Sequence, residues 1–142
     1  MKIAIAADHG GFELKEMLKK HYAAMNLLDL GTYSTDSVDY PDYAHKMAQA
    51  ILSGQADLGI LICGTGVGIS VAANRYKGIH AALLYSQEVA RLAKAHNNAN
   101  VLVFGGRTMV FDDVVKRIDT FLQTAYEGGR HQRRLDKIDE TE

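Results

Sequence analysis

Apolar and polar positions follow one another along this chain in two kinds of block. Ile3–Ala7 is a continuous apolar run that stops at Asp8. A short apolar run bounded by a polar turn reads as a buried strand. From Phe12 to Tyr22 the residues Leu14, Met17, Leu18 and Tyr22 recur three and four apart, which predicts a helix with those side chains on one face. Leu27–Leu30 reads as a second strand, closed by Gly31. Pro41 suits the first turn of a helix, and Ala44, Met47, Ala48 and Ile51 carry the helical period as far as Gly54. Leu58–Cys63 (LGILIC) is apolar on both faces, as in a central strand of a parallel sheet. A turn at Gly64–Gly68 leads into a helix through Ala73. Ile79–Leu84 and Val101–Phe104 read as the fourth and fifth strands, Gln87–Ala95 and Val110–Tyr126 as the helices that follow them.

Five strand–helix units in alternation predict an α/β fold. It is a Rossmann-like three-layer αβα sandwich with a five-stranded parallel sheet, because each parallel step needs a right-handed crossover. Strand order is not readable from the pattern. Ligands in such folds sit outside the carboxyl ends of the strands. Here those ends are Asp8-His9-Gly10-Gly11, Gly31-Thr32-Tyr33, Cys63-Gly64-Thr65-Gly66, Tyr85-Ser86 and Gly105-Gly106-Arg107, all rich in glycine and polar groups.

Composition narrows the picture. The 142 residues fit one domain spanning 1–142, with a C-terminal helical arm from about residue 128. Sixteen basic against 17 acidic side chains leave a net charge of −1, which argues against broad binding to nucleic acid or anionic membrane. The first apolar run is too short for a signal segment or a membrane span, so a cytoplasmic location is expected. The single cysteine, Cys63, excludes an internal disulfide and suits a reducing compartment.

The sharpest local feature is Cys63-Gly64-Thr65-Gly66-Val67-Gly68-Ile69-Ser70. Alternate glycines let backbone approach a ligand, and N–H groups at a helix start can hold an anion. The spacing is neither the dinucleotide fingerprint nor a P-loop; a tight packing turn is the plain alternative. Cys63 stands just ahead of the helix, where a thiolate is favoured, yet free cysteines are often merely buried. Asp8-His9 either contacts a ligand or caps the next helix. His96-Asn97 stands where a solvated helix C-terminus favours such residues. Arg130 and Arg134, four apart, form a fork pair suited to phosphate. Alternatively they belong to a solvated tail balanced by Asp136, Asp139, Glu140 and Glu142. No histidine shows metal-ligand spacing, so no metal is expected.

Taken in order, these motifs resemble the ribose-5-phosphate isomerase type B family, which includes galactose-6-phosphate isomerase subunits and allose-6-phosphate isomerases. The marks are Asp8-His9-x-Gly11-Phe12, Asp39-Tyr40-Pro41, Leu61 to Ser70, His96-Asn97-x-x-Asn100-Val101, Phe104-Gly105-Gly106-Arg107, and Tyr126-Glu127-Gly128-Gly129-Arg130-His131-Gln132-x-Arg134. The resemblance runs from Lys2 to about Asp139. It implies a cofactor-free interconversion of ribose 5-phosphate and ribulose 5-phosphate through an enediolate, in a homodimer with sites built between subunits, paired in some members into a tetramer. By resemblance Cys63 is the base and His96 assists ring opening. Thr65 and the N–H groups of Gly64, Gly66, Val67, Gly68 and Ser70 stabilise the enediolate. Asp8, Tyr40 and Asn97 orient hydroxyls; His9, Arg107, Arg130 and Arg134 hold the phosphate. One branch of the family replaces the cysteine by another residue and uses a carboxylate further along the loop; Cys63 and Ser70 match the cysteine branch. The retained alternatives are allose 6-phosphate or galactose 6-phosphate as substrate, and a phosphate-binding regulatory module without chemistry. A thiol redox sensor lacks a resolving cysteine.

Overall fold

A computed structural model describes residues 1–140. Glu142, counted above among the acids of the tail, lies outside them. Five strands, β1 (Ile3–Ala7), β2 (Leu28–Asp29), β3 (Leu58–Cys63), β4 (Ala81–Leu83) and β5 (Val101–Gly105), form one parallel sheet in the order β2-β1-β3-β5-β4. The helices are α1 (Phe12–His21), α2 (Tyr40–Leu52), α3 (Val67–Ala73), α4 (Gln87–Ala95), α5 (Phe111–Gln123) and α6 (Arg130–Asp139), with a short 3₁₀ turn at Ala23–Met25. This is the expected αβα arrangement with its C-terminal helix.

Strand side chains alternate between two cores, as the two-residue period requires. Ile3, Ile5, Ile60, Ile62, Leu102 and Phe104 pack with α1, α4 and α5. Ala4, Ala6, Leu61, Cys63, Val101 and Val103 pack with α2 and α3. The alanines of β1 let α2 lie close, and Met47 fills the space over Gly59. Each fully buried Ile or Leu contributes about 1.5–3 kcal/mol of transfer free energy.

One helix face and three boundaries differ from the pattern, each for a local reason. In α1, Met17 is exposed and Lys15 is buried. The face that carries Leu14, Leu18 and Tyr22 swings toward Lys15, whose ammonium meets Asp29 at 2.7 Å and Glu16 at 2.8 Å. β2 shrinks to two residues at the sheet edge. β4 is three residues long because side-chain amides take over strand pairing: Asn74 exchanges two hydrogen bonds with the Ala81 backbone, and Asn100 binds His80 N–H and Gly78 carbonyl. α5 stops at Gln123, where Thr124 turns extended and the chain runs back to bond Glu127 N–H to the Ala95 carbonyl.

Among the described residues, no helix is long and apolar enough to cross a membrane.

Candidate active site

The strand order reverses between β1 and β3, and a crevice at such a point is where α/β folds take ligands. Three strand tips meet there. Asp8 N–H donates to the Ile62 carbonyl at 3.1 Å, Gly106 N–H to Cys63 at 2.8 Å, and Arg107 N–H to Gly64 at 2.9 Å. The backbones lie so close that a Cβ on Gly106 would overlap the Gly10 carbonyl, and one on Gly11 would stand 2.6 Å from the Ile62 carbonyl. Glycine is required at both places by proximity.

Within this knot each side chain is held. Cys63 is buried, and its Sγ accepts the Gly66 N–H at 3.1 Å. Gly66 makes that contact from φ +83°, and a Cβ there would meet Leu83 at 2.6 Å. Thr65 Oγ1 accepts Val67 N–H at 3.2 Å, and Ser70 Oγ donates to the Val67 carbonyl at 2.9 Å. Three of the loop's N–H groups are therefore already engaged: Gly66 on sulfur, Val67 on a hydroxyl and Ser70 on the Gly66 carbonyl. Buried Asp8 accepts Gly11 N–H at 3.2 Å, just ahead of α1. Of the two readings of Asp8, the geometry shows the tie to the helix start; its Oδ1 lies beside the close approach of Gly10 to Gly64. His9 Nδ1 accepts Val38 N–H at 3.1 Å, which puts the ring proton on Nε2. Tyr40, at the start of α2, covers Gly68. The exposed Arg107 guanidinium lies over Gly64, where a Cβ would be 3.5 Å from Nη1.

A second group of predicted residues sits at the other edge of the sheet. His96 caps the C-terminus of α4, and Asn97 follows it. Both precede β5, whose entry Asn100 carbonyl accepts Gly59 N–H, whereas Cys63 pairs with Gly105 at the strand's exit. The length of β5, roughly 13 Å at 3.3 Å per residue, therefore separates the two edges. α6 is tied to the same amino edge, since Asp139 accepts Gly78 N–H at 3.0 Å and contacts His80 Nε2. Arg130 and Arg134 are exposed on α6. A groove of about 620 Å³ opens here, lined by Asn97, His80, Arg75 and Leu135.

Pattern reading passes over two residues of this second group. Glu127 Oε1 lies 3.3 Å from His131 Nε2 and 3.8 Å from His96 Nε2, and the two imidazoles stack at 4.2 Å with 14° between their planes. Beside their place in the Tyr126–Arg134 motif, the i, i+4 spacing of Glu127 and His131 is the sequence signal for it. The three donors lie within 4.8 Å of one another. Yet nearly parallel rings aim their lone pairs side by side, whereas a metal held about 2.0–2.1 Å from two imidazoles needs them convergent.

The ribose/galactose isomerase family model matches residues 3–138. Ribose-5-phosphate isomerase B of Escherichia coli is 45% identical over 139 residues, covering 96% of this chain and 93% of that protein. A ribose 5-phosphate isomerase structure from Thermotoga maritima superposes with a TM-score of 0.95 at 56% identity, covering 99% and 98% of the two chains. Ribose-5-phosphate isomerase B of Mycoplasma genitalium, solved with ribulose-5-phosphate bound, gives 0.91 at 45% identity over 99% and 97%. With the order of its strand-tip motifs and its fold both matched over nearly the full length, the chain belongs to the ribose/galactose isomerase family.

Proposed function

We propose that this isomerase interconverts D-ribose 5-phosphate and D-ribulose 5-phosphate through an enediolate, in sites shared between two copies of the chain. The observation that carries the reading is the buried Cys63 sulfur, bonded to Gly66 N–H, at a crevice flanked by Asp8, His9 and Arg107. The names of the curated relatives support the pentose phosphate as substrate.

The chemistry follows from what the reaction asks for. Open-chain ribose 5-phosphate carries its aldehyde at C1 and a weakly acidic hydrogen at C2. The Cys63 thiolate takes that proton and returns it to C1 on the same face, so the base ends as it began. The Gly66 N–H points at the sulfur and stabilises negative charge on it. Charge then develops on the sugar oxygens. Preorganised donors there are each worth roughly 10²–10³ in rate, and Thr65 with the N–H groups of the Gly64–Ser70 loop not engaged elsewhere supplies them. Asp8 and Tyr40 orient hydroxyls. His9 Nε2–H and Arg107 hold the phosphate, whose remote grip keeps C1 and C2 in register with the sulfur.

His96, Asn97, Arg130 and Arg134 stand on the amino edge, out of reach of Cys63 in the same chain. A second copy, related by a two-fold axis, supplies them: His96 for ring opening, Asn97 for a hydroxyl, the two arginines for the phosphate. The chain functions in this reading as one domain with α6 as an arm, in a homodimer that pairs further in some assemblies, and in a reducing cytoplasm.

The test is a panel of pentose and hexose phosphates with kcat/KM for each. Ribose 5-phosphate is expected to lead. Faster turnover of allose 6-phosphate or galactose 6-phosphate overturns the pentose assignment, and binding of sugar phosphates without turnover favours the regulatory module.

A further inference from the structure

Glu127 occupies the bend between the end of α5 and the start of α6, and no role follows for it from the reaction as derived above. Its backbone N–H is fixed to the carbonyl of Ala95, the residue before His96. Its carboxylate stands 3.8 Å from His96 Nε2 and 3.3 Å from His131 Nε2. His131 is buried, and its Nε2 has no hydrogen-bond partner among the described residues. Buried ring nitrogens normally find a partner. This one lies 3.3 Å from a carboxylate oxygen without making a hydrogen bond to it, with the His96 ring stacked on its own at 4.2 Å. Arg91 on α4 also feels the charge of Glu127, but its guanidinium is engaged by Glu88 at 2.8 Å. The carboxylate is thus left to the two histidines.

We infer that Glu127 is the positioning residue of His96. It holds the Nε2 edge of the imidazole from behind, with the stacked His131 fixing the ring plane, and so turns the Nδ1 edge toward the sugar. The inference rests on the assignment of His96 to ring opening. In that step the C1–O4 bond of the furanose breaks, O4 gains a proton, O1 loses one, and C1 becomes the aldehyde carbon; no net proton is taken up. A histidine that gives the proton to O4 and recovers the one from O1 passes through its cationic and neutral forms. A carboxylate on its far nitrogen stabilises the cation and keeps the ring from turning.

The two directions of the reaction separate this step from proton transfer at carbon. Ribulose 5-phosphate cannot close a furanose, because that ring would need O5, which carries the phosphate. It therefore meets Cys63 already open. Two rates are measured on the full chain: turnover of ribose 5-phosphate, and exchange of the C1 hydrogen of ribulose 5-phosphate with D₂O, followed by proton NMR. Glu127→Gln is expected to lower ribose 5-phosphate turnover roughly 10- to 100-fold, a part of what a general acid–base supplies. Exchange from ribulose 5-phosphate should stay within about threefold of wild type, since a misplaced ring-opening group leaves it untouched. Glu127 is half exposed, so the fold should tolerate the change, and spared exchange reports that the shared site is still assembled. Cys63→Ala should lose both rates. Glu127→Gln that loses both in proportion, or neither, overturns the inference alone. A wild-type protein inactive in both assays overturns the proposed function and this inference with it.

Discussion

Gly66 donates its backbone N–H to the sulfur of Cys63 across a three-residue turn, at 3.1 Å. The donor is set by a left-handed glycine, the acceptor by the last residue of β3, and both are buried. The thiol therefore stands at a fixed place on the crevice wall, with one polarity of partner.

That relationship predicts a clean separation of binding from chemistry at Cys63. Cys63→Ala should fold, losing about 1 kcal/mol as small core changes do, and should bind ribose 5-phosphate with near-native affinity. Its kcat should fall roughly 10²- to 10⁴-fold. A folded variant with near-normal turnover would remove Cys63 from the role of base.

The glycines of the loop should divide by geometry. A Cβ on Gly66 combines φ +83° with contacts of 2.6 Å to Leu83 and 3.0 Å to the Phe104 backbone. Gly66→Ala should lower stability by about 1–3 kcal/mol and abolish turnover. At Gly64 the Cβ finds only Arg107, at 3.5 Å, so Gly64→Ala should keep its melting temperature and raise KM. Thermal melts with kinetics on both variants decide this; equal stability losses would refute it.

The proposed sharing of sites between copies predicts complementation. Homodimers of Cys63→Ala and of His96→Ala should each be nearly inactive. Mixed and allowed to re-equilibrate, half the dimers become hybrids with one intact site of two, restoring roughly a quarter of wild-type activity for an isologous pair. No recovery, with exchange of subunits verified by mass spectrometry, would place His96 in the same site as its own Cys63.

The ionic cluster under α1 makes a pH prediction. Burial pushes the Asp29 carboxyl up, but hydrogen bonds from Lys15, Lys19 and the Gly31 N–H outweigh it and hold the group below its ordinary range. A carboxylate depressed in the folded state contributes stability above its unfolded pKa, about 3.9, and loses it as pH falls through the folded value. Asp29→Asn should cost about 3 kcal/mol at neutral pH, because it strips the fully buried Lys15 of a partner. Its stability should then fall less steeply than that of wild type below about pH 4. Urea titrations from pH 2.5 to 7 check both; an unchanged acid limb would clear Asp29 of the role.

Pattern alone delimits β1, β3 and α4 to the residue, since each is a run of uniform environment with a sharp polar or glycine end. It fails where side chains substitute for backbone partners. Asn74 and Asn100 shorten β4, and nothing in their spacing announces it. It also misjudges α1, because a lysine buried with Asp29 looks like a surface residue until the partner is placed. The carboxyl-edge residues, Asp8, His9, Cys63 and Arg107, are legible because parallel sheets put their strand tips together. The strand order is not, though the opposite edge for His96 is legible, since it precedes a parallel strand. Glu127 and His131 stand in a motif, but their meaning escapes because it lies in a distance to His96, across a bend that the helical period does not describe.

The distribution of these groups over two edges of one sheet has a consequence for rate laws. With Cys63 at one end and His96 at the other, a chain with the proposed roles and the proposed sharing works only while two copies stay together. Specific activity then depends on protein concentration. It holds constant well above the dissociation constant of the dimer and falls on dilution below it, with ligand that bridges both copies pulling the equilibrium back. The enzyme would show a lag when diluted enzyme meets substrate, as subunits reassemble before they turn over.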